Sequence, residues 1–343
     1  MKKLSKKSLV TIFVVILLLT MFTVSSIAAT EATTLIRLAI GDPIGSSVGV
    51  VAKYFAEKVY EATNGQIKVE VFPDGVLFGG DQNAAINMAE DGSLDAIIIA
   101  TDVYASFEKR MNAVGLPYLF KDYDEFQSYI TGELGKELLA SLENLNQEGL
   151  VLMIRTFRCI TNSKRPIYTP KDLEGLKLRV PNSILYMEFF GPLGANPTPM
   201  DFKEVYTALQ LKTIDGQENP VEVPLANKFY EVQKYLSLTN HSADSYILAF
   251  NLDLWKKLNA DTQEIVRRAA EEAAQFKLEY DLGEEEIVIK ELEAKGMEVN
   301  RLTVEQKNAF QEEALKLYPR FESLVGSDFM ERSLEFLKNL RMQ

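Results

Sequence analysis

The sequence predicts an α/β protein of two lobes with one long helix spanning both, and three observations carry this expectation. Between Thr34 and Ala100, short apolar or alternating runs are separated by stretches whose apolar residues recur at helical spacing. The same pattern restarts after Val151-Leu152-Met153-Ile154, and from Ala260 to Ile289 there is no proline and a single glycine. As a helix that last stretch would reach ~45 Å, longer than one small lobe. No repeat, low-complexity linker or composition shift marks a boundary, so several chain crossings are expected between the lobes.

Thr34 to Ile40 reads as a strand, followed by a turn-rich link from Gly41 to Ser47. Val48, Val51, Ala52, Phe55 and Val59 share one helical face, with Ser46 or Ser47 as N-cap and Asn64-Gly65 as the stop. Ile67, Val69 and Val71 alternate with polar residues as in a half-buried strand, closed by Pro73-Asp74-Gly75. A helix follows Gly79-Gly80-Asp81, and the apolar run Ala96 to Ala100 suits a strand covered on both faces. Strand and helix in this alternation predict a mostly parallel sheet. After Val151–Ile154 the chain reads as a second such run, with a strand at Leu176–Val180, helices at Ile184–Phe190 and Glu204–Gln210, and strands near Ile214–Gln217, Tyr235–Leu238 and Ile247–Asn251. On the long helix, Ile265, Ala269, Ala273 and Phe276 form the predicted buried stripe.

Acidic residues outnumber basic ones by 49 to 37, giving a net charge of −12 and arguing against a nucleic-acid partner. With one cysteine (Cys159) and one histidine (His241), Cys-cluster and multi-histidine metal sites are excluded, and no metal or cofactor is expected. Lys2, Lys3, Lys6 and Lys7 precede the apolar stretch Leu9–Val24 and the small-residue pattern Ser26-Ile27-Ala28. That is the order of a secretory signal peptide cleaved near Ala28, with an uncleaved membrane anchor as the alternative. The exported chain would then keep one free thiol, tolerable if buried. There is no phosphate-cradling or dinucleotide-binding glycine motif and no Gly-x-Ser-x-Gly elbow. Carboxylate runs such as Glu284-Glu285-Glu286 read as a solvated helix face, and His241 as a satisfied core imidazole.

Three stretches stand out as chemistry: Phe157 to Asn162, with Arg158; Gly175 to Pro181, with Arg179 inside a short apolar strand; and Asp215 to Pro220, with its amides at a strand end. An arginine flanked by Leu178 and Val180 is either paired with a buried acid or waiting for an anionic ligand. Further segments accompany them: Asp172-Leu173-Glu174-Gly175, Gly194-Ala195-Asn196-Pro197-Thr198-Pro199-Met200, Glu204 to Gln210, Lys228 to Tyr235 and Thr239-Asn240-His241. Together they resemble, in order and over nearly the whole chain after residue 28, the DctP-type solute-binding subunits of TRAP (tripartite ATP-independent periplasmic) transporters.

This resemblance implies a two-lobed, periplasmic-binding-protein-like fold. Its lobes would comprise 29–155 with 244–284, and 156–243 with 285–343, behind a signal peptide at 1–28. It implies no enzymatic activity but capture of a small organic acid, a C4-dicarboxylate or a sugar acid such as a uronate, for membrane subunits of the transporter, by a monomer. Arg179 matches the arginine that grips the ligand carboxylate, a role suited to the guanidinium fork. Arg158 matches a second arginine near the pocket, although Cys159 replaces the more usual polar residue after it. Asn219 matches a hydrogen-bonding asparagine and Phe202 an aromatic packed on the ligand, while Asp42, Gln82 and Thr101 match first-lobe positions facing it. Asp42 also reads as a turn former before Pro43; in the pocket it would repel a second carboxylate and accept from hydroxyls, favouring a sugar or hydroxy acid. A sensor feeding a membrane kinase is the alternative function, and an exported hydrolase a more remote one, since no nucleophile–base pair is visible.

Overall fold

The computed structural model describes residues 34–342, so the predicted signal segment lies outside the described residues. Among the described residues, eleven strands form two sheets. In chain order they are β1 (Thr34–Ile40), β2 (Ile67–Phe72), β3 (Ala96–Ala100), β4 (Gln147–Ile154), β5 (Arg158–Asn162) and β6 (Lys177–Val180). They continue as β7 (Asn196–Pro199), β8 (Gly216–Asn219), β9 (Tyr235–Ser242), β10 (Ser245–Asn251) and β11 (Glu298–Arg301). The first sheet has the order β2-β1-β3-β10-β4, and the second β11-β9-β5-β8-β6-β7.

The first sheet is shaped by what each strand buries. Ile36, Leu38 and Ile40 of β1 pack with Val48, Val51, Phe55 and Val59 of the helix Ser47–Ala62, whose N-cap Ser46 accepts from the Gly49 N–H (3.2 Å). All five residues of β3 are buried, as expected for a strand covered on both faces. The sheets are mostly parallel, as expected, with one exception in each: β10 is antiparallel to β3 and β4, and β5 to β8 and β9. The reason is the route of the chain. It leaves the first sheet from β4 into β5 and returns from β9 into β10, so one crossing strand in each sheet must run backwards. The two short links, Arg155-Thr156-Phe157 and Ala243-Asp244, lie side by side, with the Arg155 N–H donating to the Asp244 carbonyl (3.1 Å).

The third connection is the helix Ala260–Ala294, whose 35 residues span about 50 Å. Its buried stripe runs through Val266, Ala269, Ala270 and Ala273 against the first sheet. Ile265 and Phe276 are only half-buried, so the predicted stripe was slightly out of phase. Further along, Ile289 and Leu292 pack with Leu236 and Leu238 of β9. Between those anchors Lys277, fully buried, pairs with Asp281 one turn on and donates to Ser47 Oγ (3.0 Å). The predicted helix at Glu204–Gln210 begins as a 3-10 turn, Phe202–Glu204, before Val205–Gln210. The last helix, Ser327–Leu340, and the residue after it reach side chains between positions 125 and 137. Ser333 meets Tyr129 (2.7 Å), Arg332 pairs with Glu137 (2.7 Å), and Arg341 just beyond it pairs with Glu125 (2.7 Å).

Candidate functional site

Between the two sheets lies a cleft enclosing about 550 Å³ of non-protein space, its mouth included. Its walls are the carboxyl ends of strands, where open α/β sheets hold their ligands. Asp42 follows β1, Asp102 follows β3, Pro181 and Asn182 follow β6, Phe202 follows β7, and Asn219 ends β8. The crossing segments add Arg155, Arg158 and Tyr246.

Arg179 is where the strand period puts it. Leu178 and Val180 point into the large apolar core, so the residue between them faces the cleft. Its Nε and Nη2 both donate to the Met200 carbonyl (3.0 and 2.6 Å), and its guanidinium carbon lies 5.8 Å from the Phe202 ring centroid. The residue is only 4% exposed, yet it forms no ion pair with any carboxylate among the described residues. Burial therefore pulls its pKa down to about 10, against the opposing pull of Glu218.

Arg158 has the opposite surroundings. Nε and Nη2 grip both carboxylate oxygens of Glu218 (2.5 and 2.7 Å), and Nη1 donates to Asp244 (2.6 Å). Burial alone would raise the Glu218 pKa, but Arg158 and then His241 bring it down to about 2. His241 completes the group, with Nε2 3.2 Å from Glu218 and Nδ1 2.8 Å from Thr239 Oγ1. Arg155 shares Asp244 (2.7 Å), and its guanidinium carbon lies over the Tyr246 ring, 4.4 Å from the centroid. The Tyr246 hydroxyl donates to Asp42 (3.0 Å), whose pKa is raised by burial against the pull of Arg155. Asp102 is 3.5 Å from Arg158, and its other oxygen, Oδ1, is buried with no hydrogen-bond partner in the protein. Burial, and then Asp244, push its pKa up to about 6.

Of the predicted site residues, Arg179, Arg158, Asn219, Phe202, Asp42 and Gln82 all border the cleft. Thr101 does not: its hydroxyl is buried and donates to Asp244 Oδ1 (3.2 Å), so it braces the arginine pair from behind. Arg158 borders the cleft with its fork already filled by acids. Asn219 donates its side-chain N–H to Gln217 Oε1 (2.7 Å). The sequence reading missed Arg155, Asp102 and Tyr246. Two signals were available, since Arg155 directly follows an apolar strand end as Arg158 nearly does, and Asp102 stands two residues beyond a wholly apolar run. Tyr246 left none. Among the described residues no cluster of His, Cys, Asp and Glu is arranged to hold a metal ion, and no helix is long and apolar enough to cross a membrane.

A two-sheet body with a charged cleft at its strand ends is the geometry of a ligand-capturing protein, and comparison gives that class its family. Residues 42–324 match the DctP family, the bacterial extracellular solute-binding proteins of family 7, and the chain belongs to it. It is a solute-binding component of TRAP transport, a non-enzymatic role. Among curated relatives, the 2,3-diketo-L-gulonate-binding periplasmic protein YiaO of Escherichia coli is 34% identical over 81% of this chain and 83% of its own length. Among solved structures, the sugar acid-binding protein DctPAm of Advenella mimigardefordensis, in complex with galactonate, superposes with a TM-score of 0.86 at 30% identity, covering 90% of this chain and 99% of that one. A TRAP periplasmic solute-binding protein of Sulfurospirillum deleyianum with bound succinate reaches 0.83 at 28% identity, covering 88% and 99%.

Proposed function

We propose that this chain captures a small organic acid, a sugar acid or a C4-dicarboxylate, in the cleft and carries it to the membrane subunits of a TRAP transporter. The observation that supports this most directly is Arg179, a desolvated guanidinium bordering the cleft with a carbonyl on one edge and no carboxylate partner. A ligand carboxylate supplies the missing counter-charge in a bidentate pair. Asn219, Phe202, Asp42 and Gln82 contribute the remaining contacts. The protein works as a monomer in the periplasm after cleavage near Ala28, with 29–155 and 244–284 closing on 156–243 and 285–343.

An acid of about ten heavy atoms reaches micromolar affinity, ~−8 kcal/mol, without exceptional contacts. The arginine pair supplies ~1.5–3 kcal/mol of that. A thermal-shift screen of dicarboxylates, uronates, aldonates and keto acids identifies the ligand, because binding to the folded state alone raises the midpoint. Titration calorimetry then compares variants. Arg179→Ala is expected to weaken binding about tenfold or more, and Arg179→Lys to weaken it as well, because an ammonium cannot match two oxygens. Near-wild-type affinity for Arg179→Ala would refute the assignment.

A further inference from the structure

The charges around the cleft are unequal in a way that bears on ligand choice. Three arginines border it, but Arg158 is neutralised by Glu218 and Asp244, and Arg155 shares Asp244. Arg179 is therefore the one cleft arginine, among the described residues, without an acid beside it. Three carboxylates also border the cleft: Asp42, Asp102 and Asp201. Asp42 already accepts from Tyr246 (3.0 Å) and Asp201 from Asn182 (2.7 Å). Asp102 Oδ1 accepts from nothing, although it is buried. Arg158 does not need Asp102, at 3.5 Å, because it holds shorter contacts to two other acids.

Resting on the reading of Arg179 as the carboxylate anchor, we infer that Asp102 is the specificity-determining residue of the cleft. It accepts a hydrogen bond from a ligand hydroxyl and, with Asp42 and Asp201, repels a second carboxylate, so the ligand class is polyhydroxy monocarboxylates rather than dicarboxylates. The cleft offers one unmatched positive charge, and the second acid of a dicarboxylate would meet like charge with no counter-ion to spare. A hydroxyl placed at Asp102 satisfies an oxygen that is otherwise costly to bury. A site with such a buried polar group discriminates strongly against ligands that leave it unpaired.

The test is calorimetry on the purified protein with D-galactonate, D-galacturonate and succinate as probes, folding being checked by circular dichroism. The wild type is expected to bind at least one sugar acid more than tenfold tighter than succinate. Asp102→Ala should weaken sugar-acid binding about tenfold, and Asp102→Asn, close in shape but uncharged, should narrow the gap to succinate severalfold. If Asp102→Ala does not fold, the nearly isosteric Asn variant carries the test alone. Arg179→Ala should weaken every probe alike, which separates loss of the anchor from loss of selectivity. A wild type that prefers succinate, or that binds neither sugar acid, overturns the inference. So does an unchanged sugar-acid-to-succinate ratio in the Asp102 variants while Arg179→Ala still weakens every probe.

Discussion

Arg158 and Arg179 are two buried arginines on neighbouring parts of one sheet, and they have been given opposite company. Arg158, 1% exposed, is held by both oxygens of Glu218 and by Asp244, and its pKa is driven well above the ordinary value although burial works against it. Arg179 has one backbone carbonyl and a pKa drawn below the ordinary value by burial. Removal of either partner from a buried ion pair leaves an uncompensated charge, whereas removal of an unpaired cation relieves one. On the proposed function, the first arginine serves the fold and the second the ligand. Position reinforces this: Arg158, Arg155 and Asp244 sit where the chain crosses between sheets, so their contacts tie the two crossings together.

The largest effect should come from Arg158→Ala, which strands Glu218 and Asp244 without their main cation. About 3–5 kcal/mol of stability should be lost in urea unfolding. Arg179→Ala should change the same midpoint little or raise it; a loss as large as that of Arg158→Ala would erase the distinction between the two residues. Next comes a pair of carboxylates on the same scale of comparison. Glu218 is held at about 2, while Glu222, four residues on, is pushed up to about 7 by burial, against Arg155 and Lys277 and with Asp281 adding to the rise. Because the folded pKa of Glu222 lies above its unfolded value of 4.5, its ionisation opposes folding progressively as pH rises from 4.5 to about 7. Glu218 has the reverse sign, contributing stability above its unfolded 4.5 that is lost as pH falls towards about 2. Glu222→Gln should accordingly raise stability at pH 7.5 relative to wild type and converge with it near pH 4.5, as read by urea midpoints across that range.

The smallest effect should be at the rim. Lys203 Nζ, on the second-lobe side, donates to the Gly79 carbonyl on the first (2.5 Å), across a Gly79-Gly80 turn with φ of +63° and +78°. A Cβ on Gly80 would stand 2.5 Å from Lys203 Cδ, so glycine permits the approach. Lys203→Met should release the ligand about two- to fivefold faster in stopped-flow measurements, with folding stability nearly unchanged.

Much of this architecture was legible from residue order. Thr34–Ile40 and Ile184–Phe190 were read to the residue, because clear periodicity and strong end signals coincide there. Arg179 was legible because a charged residue set between Leu178 and Val180 in a short strand is conspicuous. The partners of Arg158 were not, since Asp102, Glu218 and Asp244 lie 56, 60 and 86 positions away and meet only through the two crossings. The reversal of β5 and β10 was hidden for the same reason: periodicity reports which face is buried, not which way the chain is travelling.

Cys159 sits on β5 beside Arg158, buried, its thiol donating towards Asn240 Oδ1 (3.1 Å) and its pKa pushed by burial up to about 12. Being the sole sulfhydryl in the chain, it acts as an internal clock. Every molecule of a thiol-specific dye that attaches must have waited for that strand to come away from its neighbours, so labelling kinetics read the opening of the crossing region without any engineered tag.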